Sequence, residues 1–248
     1  MTDMNDLRVR IFADGADLND IKRLAENPLI AGFTTNPTLM RSAGVTDYVA
    51  FAREVLKVVG DRPVSFEVFS DEWEEMEAQA REISTWGTNI NVKIPVTNTR
   101  GEFSGDIIGR LSANGVPVNV TAMMTTDQVR AVLEHLKPDA KGFLSLFAGR
   151  IADTGRDPVP IIREAVALVR PFPGIGIIWA SPRELLNVFQ AEEAGCHVIT
   201  VAADILRKLP LVGKDLAAYS LETVAMFRND ATKAGYDIPT GSLAKRES

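Results

Sequence analysis

Cysteine is nearly absent from this 248-residue chain. Cys196 stands alone, so no internal disulfide framework can form, and a reducing compartment is expected. A lone cysteine of this kind is expected to be a small buried hydrophobe. Histidine is scarce too. His135 and His197 lie far apart, with no cysteine cluster and no H-E-x-x-H, so a dedicated zinc site is not expected. There is no basic block, and the formal net charge is −6 with a pI of about 5.1, which argues against a nucleic-acid partner. No apolar run approaches the ~20 residues of a membrane span. The first residues, "MTDMNDLRVR", lack the apolar stretch of a signal peptide. The expectation is a cytoplasmic protein with no membrane partner. No low-complexity linker or abrupt change of composition marks a boundary, so residues 1–248 read as a single domain.

What is present is a repeating pattern. With 46% of residues hydrophobic, the chain can bury a large core without a covalent staple. Short apolar, β-rich runs recur: "RVRIFAD" (8–14), "IAGFTTN" (30–36), "PVSFEVF" (63–69), "INVKIPVT" (90–97), "VPVNVTAM" (116–123), "GFLSLFAG" (142–149), "GIGIIWAS" (174–181) and "HVITVAA" (197–203). Amphipathic stretches such as "EWEEMEAQAREISTWG" and "DPVPIIREAVALVRPF" separate them. Strands alternating with helices predict an α/β protein with a parallel sheet, and eight strands suffice to close a (β/α)8 TIM barrel. A doubly wound open sheet is the competing architecture. The absence of G-x-G-x-x-G after the first run weakens its dinucleotide-binding version. Residues 216–235 read as an additional C-terminal helix, and "SLAKRES" as a polar, frayed tail.

Polar residues obey a parity within the strand-like runs. Side chains alternate between the faces of a strand. Arg10 and Asp14 share one face, opposite Val9, Ile11 and Ala13. The same rule groups Thr34 with Asn36, Ser65 with Glu67, Asn91 with Lys93, Asn119 with Thr121, and Ser145 with Phe147. In a barrel the outward faces pack on helices and the inward faces converge on the axis. These residues also fall late in their strands, toward the end where barrel active sites are built.

Lys93 is the sharpest feature, an ammonium group set into "NINVKIPVT". A lysine is costly to bury without a partner. It could be a barrel lysine neutralised by Asp14 or Glu67, or a nucleophilic amine that forms a Schiff base with a carbonyl. Parity alone leaves both open. Two other stretches suggest an anionic substrate. "SLFAGRIAD" places Arg150 after the sixth run. "ASPRELL" predicts a helix start with Ser181 as N-cap, Pro182 in the first turn and Glu184 completing a capping box. Arg183 would there oppose the helix dipole, a conflict that a phosphate or similar dianion would relieve.

The stretches "GFTTNPTLM", "INVKIPVT", "VNVTAMMT", "SLFAGRIAD" and "WASPRE" resemble, in the same order, the strand motifs of the transaldolase family. The length resembles its small single-barrel branch, which includes fructose-6-phosphate aldolases. The resemblance implies a Schiff-base aldol mechanism needing neither metal nor cofactor. Lys93 would attack the carbonyl of a ketose phosphate. Asp14 would move the substrate proton, and Glu67 with Thr121 would hold a proton-shuttling water. Asn36, Asn119 and Ser145 would bind the dihydroxyacetone hydroxyls, and Thr34 and Phe147 would shape the pocket. Arg150, Ser181 and Arg183 would take the phosphate. Glu67 resembles the transaldolase pattern, where the hexose-phosphate aldolases tend to carry glutamine. Leu146, Pro182, Glu184 and "DGADLND" depart from the family's usual residues. The implied reaction is transfer of a dihydroxyacetone unit between sugar phosphates. Its alternatives are release of free dihydroxyacetone and action on a sulfonated ketose. A homo-oligomer is expected, with apolar residues of the C-terminal helix covering a neighbouring subunit; the alternative is a helix folded back on its own barrel.

Overall fold

The computed structural model describes residues 7–239. The tail "SLAKRES" and most of the N-terminal stretch lie outside these residues. The described chain divides into two compact units, one ending at Leu209 and the other beginning at Pro210.

The first unit is a closed barrel of eight parallel strands in sequential order. Its first half runs β1 (Arg10–Asp14), α1 (Leu18–Ala25), β2 (Ile30–Thr34), α2 (Pro37–Ser42), α3 (Tyr48–Val59), β3 (Val64–Glu67), α4 (Trp73–Ser84) and β4 (Ile90–Pro95). Next come α5 (Gly105–Ala113), β5 (Val118–Met123), α6 (Thr126–His135), β6 (Gly142–Leu146), α7 (Ala148–Asp153) and α8 (Val159–Leu168). The unit ends with β7 (Ile175–Trp179), α9 (Leu186–Glu193), β8 (Val198–Ala202) and α10 (Ala203–Leu206). β8 pairs back with β1, Arg10 opposite Val198 through Asp14 opposite Ala202, which closes the ring. The open-sheet alternative is thereby excluded.

Two apolar cores follow from the strand parity. Outward residues such as Val92, Ile94, Val118, Val120, Leu144, Ile177 and Trp179 join Ile21, Val55, Met76, Leu111, Val132 and Ile162 of the helices in one large cluster. Inside the barrel lies a separate, smaller one of Phe12, Phe143, Ile178, Ala180 and Val198. Phe12 and Phe143 meet edge to face, their ring centroids 5.7 Å apart. Gly32 is dictated by this packing, since a Cβ there would lie 2.6 Å from the Phe12 ring. Phe12 precedes Asp14, Phe143 precedes Ser145 and Val198 precedes Thr200, each by two residues on the same face. The apolar layer is therefore a floor, and the polar residues stand on it toward the C-terminal end.

The strands end earlier than the apolar runs suggest. β2 stops at Thr34 because Asn36 caps α2, accepting the Leu39 N–H at 3.0 Å, and Pro37 has no N–H to extend the ladder. β6 stops at Leu146 and Phe147 is the N-cap position of α7, so Asn36 and Phe147 are loop residues at the barrel mouth. Cys196 is buried, its Sγ 3.3 Å from the Ile177 and Val198 carbonyls, and desolvation pushes its thiol up to about 12.

The second unit carries α11 (Leu216–Lys233), capped by Asp215, whose carboxylate accepts the Ala218 N–H at 2.9 Å. None of its residues is buried, and Leu216, Leu221, Val224 and Phe227 are all more than half exposed. No helix of the described residues is long and apolar enough to cross a membrane.

Candidate active site

The C-terminal ends of the strands surround a cavity of about 460 Å³. Every residue given a site role by the family resemblance lines it, from Asp14 and Thr34 on the first two strands to Ser181 and Arg183 after the seventh, whereas Arg10 and Asn91, which share the inward parity, line a separate cavity with Gly142 and His197. Barrel closure brings them together: Glu67 lies opposite Lys93 in register, and Lys93 opposite Asn119.

Lys93 is 7% exposed. Its Nζ donates to the Thr35 carbonyl at 2.9 Å and lies 3.0 Å from Glu67 Oε2. The burial that a free ammonium would resist is thus offset by one charge and one carbonyl. Asp14 stands at the end of β1, where the Thr34 hydroxyl donates to its Oδ1 at 2.8 Å. Desolvation raises the Asp14 carboxyl above its ordinary value of 3.8, and the nearby Glu67 charge adds to this. Lys93 and the Thr34 hydroxyl pull the other way without cancelling it. One carboxylate is paired with the amine while another beside it resists ionisation. That division suits proton transfer.

A second set of polar groups crosses the floor. Ser145 Oγ donates to Asn119 Oδ1 at 2.7 Å, and Asn119 Nδ2 donates to Ser65 Oγ at 3.1 Å. All three are buried, so the chain fixes the Asn119 carboxamide. Thr121 is buried with its Oγ1 unpaired among the described residues. Asn36 uses its oxygen to cap α2, which leaves its amide nitrogen to donate into the cavity.

At the rim, the Arg150 guanidinium lies 5.7 Å from the centre of the Phe147 ring. Arg183 is held by Asp153, its Nε donating to Oδ1 at 3.1 Å and its Nη2 to Oδ2. The predicted capping box is absent. Ser181 has a φ of 61°, and α9 begins at Leu186 with no side-chain cap. The Asn187 side chain takes over that role from inside the helix, accepting from Arg183 N at 2.7 Å and Glu184 N at 3.2 Å. Arg183 therefore lies in a loop rather than against a helix dipole, and its charge is met by a carboxylate. The left-handed turn at Ser181 carries its carbonyl against α7. A Cβ on Gly149 would sit 1.6 Å from that oxygen, so only glycine fits.

The model of one protein family, Transaldolase/Fructose-6-phosphate aldolase, matches residues 11–240, nearly the whole chain. The chain belongs to the transaldolase/fructose-6-phosphate aldolase family. Among curated relatives, a probable transaldolase of Dehalococcoides mccartyi is 34% identical over 215 residues, covering 85% of this chain and 96% of that protein. A probable transaldolase of Thermoanaerobacter sp. is 32% identical over 231 residues, covering 93% of this chain and all of the relative. One from Lactiplantibacillus plantarum is 35% identical over 216 residues, covering 86% and 95%.

Within this transaldolase-type barrel, three contributors escaped the sequence reading. Thr35 acts through its carbonyl, which no side-chain pattern can signal. Asp153 stands in "GRIAD", one helical turn past Arg150, and that spacing was a usable signal. Thr200, which lines the cavity, stands two residues after the floor residue Val198.

Proposed function

We propose that this chain is a Schiff-base transaldolase that moves a dihydroxyacetone unit from a ketose phosphate to an aldose phosphate. The observation that carries the reading is the Lys93 amine, buried in a polar cavity at the catalytic end of the barrel, 3.0 Å from the Glu67 carboxylate. In this reading Lys93, as the neutral amine, adds to the C2 carbonyl of the donor. The proton that Lys93 gave up to Glu67 passes to the C2 hydroxyl, which leaves as water to give an iminium. Asp14 takes the proton of the C4 hydroxyl as the C3–C4 bond breaks, and the bonding pair flows to the iminium nitrogen to form an enamine. The aldose phosphate departs. The enamine then attacks the aldehyde carbon of the acceptor, Asp14 returns the proton to the new alkoxide, and water hydrolyses the iminium.

The raised Asp14 carboxyl supports its role, because a group that binds a proton tightly can both take and return one. Glu67 and the unpaired Thr121 hydroxyl are suited to hold the water that enters and leaves. Asn36 and Asn119 present amide N–H donors to the dihydroxyacetone hydroxyls and Ser145 an acceptor oxygen, while Thr34 and Phe147 bound the pocket. Arg150, Ser181 and Arg183 take the anionic headgroup, phosphate or, in the variant reading, sulfonate. The exposed apolar residues of α11 suit contact with a second copy of the chain, so the same reading includes a homo-oligomer; the cytoplasm is the compartment proposed for it.

The competing reading keeps the same lysine and releases free dihydroxyacetone. Borohydride trapping with fructose 6-phosphate, with and without erythrose 4-phosphate, separates the two. A reduced adduct on Lys93 that the aldehyde depletes, with a seven-carbon sugar phosphate appearing, supports transfer. Turnover to dihydroxyacetone without an acceptor supports the aldolase. No adduct with this sugar or with a sulfonated ketose overturns the Schiff base.

A further inference from the structure

β2 and β3 pair at two positions only, Phe33 with Val64 and Thr34 with Ser65. Beyond them the chain of β2 turns into α2, while β3 continues beside β4 to Glu67. The amides of Val64 and Val68 bond to the Asn89 and Lys93 carbonyls on the β4 side, so the alternating Glu67 backbone faces the side β2 has left. A backbone N–H and C=O stranded there would be costly.

One side chain satisfies both. Tyr48, the first residue of α3, accepts the Glu67 N–H at its Oη (2.8 Å) and donates to the Glu67 carbonyl at 3.0 Å. Its ring is wedged among Phe66, Phe69 and Trp86, with centroids 6.1, 4.6 and 5.6 Å away. Burial pushes its phenol up, so it remains a donor. The same parting of strands bares the Thr35 carbonyl that accepts the Lys93 amine. The Glu67 side chain points the other way, into the cavity, where it faces Lys93 and Asp14.

We infer that Tyr48 is a positioning residue for the reaction: its hydroxyl replaces the missing strand partner and holds the end of β3 where the Glu67 carboxylate meets Lys93. The inference rests on the Schiff-base reading of Lys93. It assigns a role in turnover to a residue outside the cavity lining.

Tyr48→Phe removes the hydroxyl and leaves the aromatic packing. The expected result is a kcat about tenfold lower with KM nearly unchanged, within the roughly 10²-fold that a 1 Å misplacement can cost. In a Glu67→Gln background the same change should have no further effect on the rate of borohydride-trapped adduct on Lys93, because Tyr48 acts through that carboxylate. An unchanged kcat in Tyr48→Phe, or an equal loss in both backgrounds, overturns the inference. Amide hydrogen exchange in the sugar-free protein provides a readout independent of the substrate. The peptide containing Glu67 should exchange faster in Tyr48→Phe, and unaltered exchange also overturns the clamp. If wild-type protein forms no Lys93 adduct while exchange responds as expected, the Schiff-base reading has failed and the clamp stands as a purely structural one.

Discussion

Lys93 Nζ and Glu67 Oε2 face each other across the β3–β4 seam at 3.0 Å, on residues that are in direct register. The ion pair is therefore a property of the sheet, needing no loop to assemble it. Glu67→Gln keeps the shape and removes the charge. Formation of the Lys93 adduct should slow by about 10²-fold or more, the range in which a positioned acid or base contributes. Rapid-quench trapping with borohydride reads this directly.

Asp14 makes an opposite prediction for stability. Its folded-state carboxyl is raised above 3.8, so the folded protein holds the proton more tightly than the unfolded chain does. Stability from this group is lost as pH rises from 3.8 through the raised value, and the loss persists at neutral pH. Asp14→Asn should accordingly raise Tm at pH 7 while abolishing turnover. A gain of about 1 kcal/mol would appear as roughly 2–4 °C, and it should shrink as the pH approaches the ordinary carboxylate range.

Asn119 is the middle of a buried chain, with Ser145 donating to it and Ser65 accepting from it. Asn119→Ala leaves both hydroxyls unpaired in the barrel interior. The cost should be about 1–3 kcal/mol for each group left unsatisfied, measured by urea unfolding.

Gly149 tests the rim. In Gly149→Ala the new methyl would meet the Ser181 carbonyl at 1.6 Å, forcing the segment that carries Arg183 to move. A loss of about 1–3 kcal/mol from overpacking is expected. Calorimetric titration with inorganic phosphate should show weaker binding than in the parent.

Much of the site was legible because strand parity is local. Asp14, Glu67, Lys93, Asn119 and Thr121 each announce an inward face through their immediate neighbours, with period two. The barrel was legible from the count, eight apolar runs alternating with amphipathic stretches. The capping box at Ser181 failed for the converse reason. It is a legitimate local signal, but Asn187 competes for the same N–H groups, and the close approach of α7 at Gly149 accompanies a left-handed turn at Ser181.

The amino-acid sequence by itself determined which side chains face the barrel axis, because alternation along a strand needs nothing beyond neighbouring residues. Tertiary structure alone decided what those side chains meet. Thr35 accepts from Lys93 across 58 residues, Asp153 captures Arg183 across 30, and Tyr48 reaches Glu67 across 19. Each contact depends on where a closed ring of strands leaves a backbone group or a charge without a partner, and that is settled only when distant segments pack.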